Sequence, residues 1–271
     1  MIYSLQSVSK CFPERRGEVQ ALNGVTFAVQ PGEMLALLGQ SGAGKTTLFR
    51  LLNATLRPTA GAVLFDGADT GSLSSGRLRA MRRRVGTIYQ QHNLVPSLTA
   101  VENALCGALG RMSFVATLRS VFQPAKTDLE RALHALELVG LLEKRNSRAD
   151  ELSGGQQQRL AVARVLMQSP EVILADEPTA SLDPALAENI TSLLAGLARD
   201  GKTTLIMAVH KVDLAMRYFP RTVGLRDGGL SFDVPSREVH ADLLSTLYSR
   251  HSSPVGERDG EPFQYKPGCA R

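Results

Sequence analysis

Apolar and polar residues alternate over positions 2–8 and again over 19–30, the period of a half-buried strand, and the intervening CFPERRGE has the composition of a turn. The two runs are expected to pair as an antiparallel hairpin covering the edge of a core. Positions 33–38 then form a short apolar run that enters a glycine-rich loop, and the apolar positions of 46–54 suit a buried helix. Helical spacing returns over 99–109, 114–122 and 127–140, the last with Leu129, Leu133, Leu136 and Val139 three and four residues apart. After it, 172–175 and 203–209 read as buried strands, with a helix from 184 to about 199 between them. That alternation predicts an α/β core: a mostly parallel sheet with crossover helices, an N-terminal antiparallel β-subdomain, and an α-helical subdomain inserted over about 92–165. One domain is expected over 1–250, and 251–271, mixing proline, glycine and charge without periodicity, is expected to be a mobile tail.

Composition narrows the function classes without choosing one. With 43% hydrophobic and 21% charged residues among 271, the chain is an ordinary globular sequence, neither fibrous nor wholly disordered. No apolar run reaches the ~20 residues that span a bilayer, and the N-terminal MIYSLQSVSK lacks the form of a secretory leader, so a cytoplasmic location is expected. Cys11, Cys106 and Cys269 are odd in number and far apart, which favours reduced thiols over a disulfide framework or a metal cluster. The net charge of +5 is modest, and the basic run Arg77–Arg84 has no interleaved aromatics; a solvated helical face is expected there, and no nucleic-acid partner.

Candidate chemistry concentrates in three strings. Gly39-Gln40-Ser41-Gly42-Ala43-Gly44-Lys45-Thr46, with Thr47 next, satisfies G-x-x-x-x-G-K-[ST] between a strand and a helix. In such a loop successive backbone N–H groups turn toward phosphates. Lys45 reaches the β/γ-phosphates, and Thr46 offers its hydroxyl to Mg²⁺. The strand 172–175 runs into Asp176-Glu177, two carboxylates at a strand's carboxyl end, where ligands of open α/β sheets bind. Asp176 is placed to hold Mg²⁺ directly or through water, and Glu177 to polarise a water for attack on the γ-phosphate. Alone, an Asp-Glu pair after a strand is more often a helix cap or a solvated pair; the phosphate loop upstream selects the catalytic reading. The third string, Leu152-Ser153-Gly154-Gly155-Gln156, precedes a helix-like stretch and is either a second anion site or an ordinary N-cap with a flexible approach.

In this order and spacing the three strings resemble the nucleotide-binding subunits of ABC transporters, and the resemblance extends over roughly 1–240. It implies a P-loop ABC ATPase core, ATP with Mg²⁺, and a head-to-tail homodimer in which Ser153 to Gln156 of one copy cap the γ-phosphate held by the other. It further implies that Phe12 stacks on adenine, although a core phenylalanine is the alternative. Gln90 is matched to a glutamine that touches Mg²⁺ or its water, Asp183 in Ser181-Leu-Asp-Pro to a loop crossing the dimer interface, and His210 to a histidine on the γ-phosphate. Val101–Arg111, Arg148–Arg159 and Val209–Leu214 are similar to the ATPases of bacterial phosphonate importers, with phosphite importers close by. The partners then implied are an integral membrane permease on the cytoplasmic face of the inner membrane and, indirectly, an extracytoplasmic solute-binding protein. An importer of another solute, a lipid or lipoprotein exporter, a non-transport ABC ATPase and a small-molecule kinase are the alternative readings. The kinase leaves Leu152 to Gln156 and His210 unexplained.

Overall fold

A computed structural model describes residues 1–14, 17–89, 93–111, 124–180 and 182–249. Strands β1 (Tyr3–Glu14), β2 (Gly17–Val29), β4 (Ala60–Phe65) and β5 (Ala68–Asp69) form an antiparallel sheet in the order β2-β1-β4-β5. A six-stranded sheet runs β10-β9-β3-β8-β7-β6, with β3 (Met34–Leu38), β6 (Val85–Ile88), β7 (Val172–Ala175), β8 (Thr204–Ala208), β9 (Arg221–Arg226) and β10 (Gly229–Pro235). Its strands are parallel except β10, which pairs antiparallel with β9 at the edge. The helices are α1 (Lys45–Leu52), α2 (Ser75–Arg84), α3 (Ala100–Leu109), α4 (Lys126–Leu138), α5 (Gly154–Gln168), α6 (Pro184–Gly201), α7 (Val212–Tyr218) and α8 (Ala241–Tyr248).

The central strands are apolar on both faces because both faces are covered. Along β3, Met34, Ala36 and Leu38 join one buried cluster with residues of α3, α4, α5 and α6, while Leu35 and Leu37 join a second with α1 and the antiparallel sheet. Strands β7 and β8 divide the same way: Ile173, Ala175, Leu205 and Met207 on the first side, Val172, Leu174, Ile206 and Ala208 on the second. The result is three layers, with helices, parallel sheet, and α1 backed by the antiparallel sheet. Helix α6 shows how the sequence sets an element. Asp183 caps its first turn, Pro184 occupies the first helical position, and Ala187, Ile190, Thr191, Leu194, Ala195 and Ala198 form the buried stripe.

The expected N-terminal hairpin forms, but the turn expected over 11–18 is a correction. Cys11, Phe12, Pro13 and Glu14 pair in register with Gln20, Val19, Glu18 and Gly17. Pro13 is tolerated because, among the described residues, no strand pairs with the other side of β1 beyond Ser9, so the missing N–H costs no ladder bond. The helices expected over 99–109 and 127–140 form as α3 and α4; the one expected over 114–122 and the tail lie outside the described residues. Thr99 and Glu102 close a capping box at the start of α3, with Glu102 Oε2 accepting from the Thr99 N–H at 2.8 Å.

Candidate functional site

The phosphate loop leaves β3 at the carboxyl edge of the parallel sheet and enters α1 at Lys45. Two of its glycines are fixed by close approach. A Cβ on Gly39 would stand 2.5 Å from the Leu225 carbonyl oxygen, and one on Gly44, at φ +99°, would stand 2.5 Å from the Ala21 carbonyl oxygen. Gly42, at φ +84°, faces open space, so its conformation rather than crowding selects glycine. The loop is thus clamped from β9 on one side and β2 on the other, with its middle turned outward. Lys45 is buried and its Nζ donates to the carbonyls of Gly39 at 2.8 Å and Gln40 at 2.9 Å.

The same ammonium stands 3.3 Å from Glu177 Oε1, and Glu177 Oε2 lies 2.7 Å from His210 Nε2. Lysine, glutamate and histidine therefore form one chain across the ends of β3, β7 and β8. Glu177 takes a left-handed backbone, φ +52°, a conformation that costs a non-glycine residue roughly 1–2 kcal/mol. Strain of this kind at the end of a central strand is retained where the side chain must be aimed. Asp176 beside it is 3% exposed, and its Oδ1 is buried without a hydrogen-bond partner among the described residues. Burial pushes its carboxyl above the usual carboxylate range and the charge of Glu177 adds to that, while the Thr46 hydroxyl, Lys45 and Arg50 oppose it. An orphaned carboxylate oxygen next to a threonine hydroxyl fits a hard divalent cation such as Mg²⁺.

The other expected residues occupy less enclosed positions. Ser153 is the N-cap of α5, its Oγ accepting from the Gln156 N–H at 3.4 Å while Gln156 Oε1 accepts from the Ser153 N–H at 3.0 Å. Ser153 and Gly154 are exposed and Gly155 half-buried. Asp183 caps α6 by accepting from the N–H groups of Ala185 and Leu186 at 3.1 and 3.0 Å. The Leu152–Gln156 string thus takes the N-cap form anticipated as its plainer reading, and both Ser153 and Asp183 cap exposed helix starts. Phe12 is half-exposed on the outer end of β1, with the Lys10 ammonium 5.3 Å from its ring centroid, so it is not a core phenylalanine. It pairs with Val19, two residues before the Ala21 that abuts Gly44. Gln90 lies outside the described residues.

Two features of the site were not anticipated. One is the direct Lys45–Glu177–His210 chain, whose members were named separately. The other is the Gln40 side chain, whose Nε2 donates to the Tyr248 carbonyl at 2.8 Å, 208 positions away. No local pattern signals a contact of that separation.

The ABC transporter family pattern matches residues 22–180. The phosphonates import ATP-binding protein of Thiobacillus denitrificans is 46% identical over 248 residues, covering 91% of this chain and 92% of that protein. The protein of the same name from Alcaligenes faecalis is 45% identical, covering 84% and 82% respectively. Among solved structures, a dimeric ATP-binding cassette in a post-hydrolysis state with ADP and Pi superposes with a TM-score of 0.77 at 32% identity, covering 88% of this chain and all of the other. A second dimeric cassette, of a bacterial ABC transporter, gives 0.76 at 33% identity. With the family pattern over more than half of its length and relatives this similar over most of the rest, the chain belongs to the ABC transporter ATP-binding subunits.

Proposed function

We propose that this chain is the ATP-hydrolysing subunit of an importer that takes up phosphonates or related phosphorus oxyanions through a separate permease. The observation that carries the ATPase chemistry is the Lys45–Glu177–His210 chain beside the orphaned Oδ1 of Asp176, all at one edge of the parallel sheet. The solute class rests on the relatives named phosphonates import ATP-binding proteins.

In this reading Gly39 to Thr47 cradle the phosphates, and Lys45 exchanges its contact with Glu177 for a γ-phosphate oxygen. The freed Glu177 carboxylate orients and polarises the attacking water, and His210 contacts the γ-phosphate from the opposite side. Asp176, Thr46 and Gln90 would hold Mg²⁺, which supplies charge neutralisation on the β- and γ-oxygens when bound. Phe12 stacks on adenine. Ser153, Gly154, Gly155 and Gln156 cap the γ-phosphate of a second copy, and Asp183 lies at that interface; the exposure of both helix starts and the dimeric solved relatives support this head-to-tail arrangement. Residues 1–250 act as one nucleotide-binding domain. Its helical subdomain, about 92–165, contains α3, α4 and most of α5 between β6 and β7. The subunit sits on the cytoplasmic face of the inner membrane against its permease, with a solute-binding protein acting outside. Among the described residues no helix is long and apolar enough to cross a membrane.

The test is growth of a strain lacking this chain on phosphonate, phosphite or phosphate as sole phosphorus source, complemented by wild type or by Lys45→Ala. Loss confined to phosphonate or phosphite and rescued only by wild type is expected. Unimpaired growth on all three, with no redundant importer, would refute the solute assignment.

A further inference from the structure

The last described helix ends on the phosphate loop. Helix α8 anchors Leu247 in the core, where it is 1% exposed, and Leu243, Leu244 and Tyr248 pack beside it. The last carbonyls of a helix have no partner within the helix and need donors from elsewhere. Here two of them find side chains from the site. Gln40 Nε2 donates to the Tyr248 carbonyl at 2.8 Å, and an Arg226 guanidinium nitrogen donates to that of Thr246. Gln40, Ser41, Gly42 and Ala43 then wall a cavity of 170 Å³, with Leu247 and Arg226 on its far side.

Gln40 is exposed, and its amide bonds to α8. The carbonyl end of a helix is a hydrogen-bond acceptor of partial negative charge, a partner for an amide donor and not for a phosphate. While bonded to Tyr248, the side-chain amide is directed to α8. The Gln40 carbonyl already accepts from Lys45 Nζ at 2.9 Å, so its side-chain bond to Tyr248 adds a second tether at the same residue, next to the outward-turned Gly42.

We infer that Gln40 is a positioning residue and that α8 braces the phosphate loop in its nucleotide-receiving conformation. This rests on the reading of residues 39–47 as the ATP phosphate site. Because the two equilibria share one hydrogen bond, the coupling is reciprocal. Docked α8 raises affinity for nucleotide, and bound nucleotide raises the docking of α8 by the same factor.

The test is a double-mutant cycle in the full chain, with Gln40→Ala and Ser245→Pro. Ser245 is an exposed mid-helix position; proline there lacks the N–H for the Ala241 carbonyl and releases the last turn of α8, Leu247 and the Tyr248 carbonyl included. Affinity for the non-hydrolysable analogue AMP-PNP is measured by calorimetry, with kcat and KM for ATP alongside. One net hydrogen bond corresponds to about a two- to ten-fold loss of affinity, so each single variant should weaken binding and raise KM by that factor, with a smaller effect on kcat than on KM. The double variant should be no weaker than the weaker single one. Amide exchange at Thr246 to Tyr248 should slow when the analogue binds to wild type and should not slow in Gln40→Ala. Unchanged affinity in both single variants, or losses that multiply in the double variant, overturns the brace. Lys45→Ala, run in parallel, separates the two readings: if it too leaves affinity unchanged, the phosphate site itself is misassigned.

Discussion

Helices α3 and α5 meet at Gly107, and the contact is close enough to set the sign of a single substitution. A Cβ at Gly107 would stand 2.0 Å from the Arg164 carbonyl oxygen and 3.2 Å from the Met167 Cβ. The carbonyl belongs to the backbone of α5 and cannot rotate away, so Gly107→Ala must push the helices apart by about 1 Å to restore ordinary contact, an overpacking cost of about 1–3 kcal/mol. Alanine is also the better helix former, by about 1 kcal/mol, which works in the opposite direction. A 2.0 Å approach to backbone puts the packing cost in the upper part of that range, so packing wins, and the net loss is about 1–2 kcal/mol, or a fall in Tm of about 2–8 °C for a chain of this size. Gly196, in the middle of α6, has nothing within 4 Å of its Cβ site, so there only propensity operates. Gly196→Ala should raise Tm by about 2–4 °C. Calorimetric melting of both variants against wild type, at one nucleotide concentration, measures the contrast. A Gly107→Ala chain that melts at or above the wild-type temperature would show that α3 and α5 do not approach at this glycine.

Glu177→Gln should bind ATP with affinity near wild type, lose turnover by about 10²-fold or more and accumulate the ATP-bound dimer; single-turnover hydrolysis and size-exclusion chromatography report both. Near-normal hydrolysis would remove Glu177 from the role of base. Asp176→Asn should raise the Tm of the nucleotide-free protein at neutral pH while abolishing Mg²⁺-dependent hydrolysis. Its carboxyl is held above its unfolded value by burial, so the folded state gains stability as pH falls through that raised pKa, and asparagine removes both the penalty and the pH dependence. A variant no more stable than wild type across that window would contradict this. Arg221 donates to both Asp233 oxygens at 2.7 and 2.6 Å and to Glu33 at 2.8 Å, tying β9 to β10 and to the start of β3. Arg221→Ala should cost about 2 kcal/mol in urea unfolding, and Arg221→Lys should recover less than half, because an ammonium cannot span both oxygens.

What could be read from the chain depended on how local the cause was. The phosphate loop, Asp176-Glu177 and the start of α6 were legible because each is a short string whose geometry follows from its own residues. Strands β4, β5, β9 and β10 were not anticipated, yet the signal was present. Asp66-Gly67 and Asp227-Gly228 both take positive φ, +51° and +79°, +49° and +77°, and Asp-Gly between apolar stretches marks a two-residue hairpin. Pro13 misled in the opposite direction: the turn composition around it was real, but an unpaired strand side accommodates a proline that a central strand would refuse. The seating of α8 on Gln40 was beyond reach, since it follows only from where the strands carry residues 208 positions apart.

The burial of Lys45 has a consequence for what the site can select. Its ammonium is 4% exposed and already faces three protein oxygens, two carbonyls and a carboxylate. Most of the desolvation of the ammonium was therefore completed when the chain folded. What a ligand must do is outcompete the carboxylate, and only an oxygen of comparable negative charge gains by the exchange. A neutral molecule of the same shape leaves the lysine where it was. In the proposed reading the resting ion pair works as a charge filter, which phosphate-bearing ligands pass by substitution and neutral ones give nothing to replace.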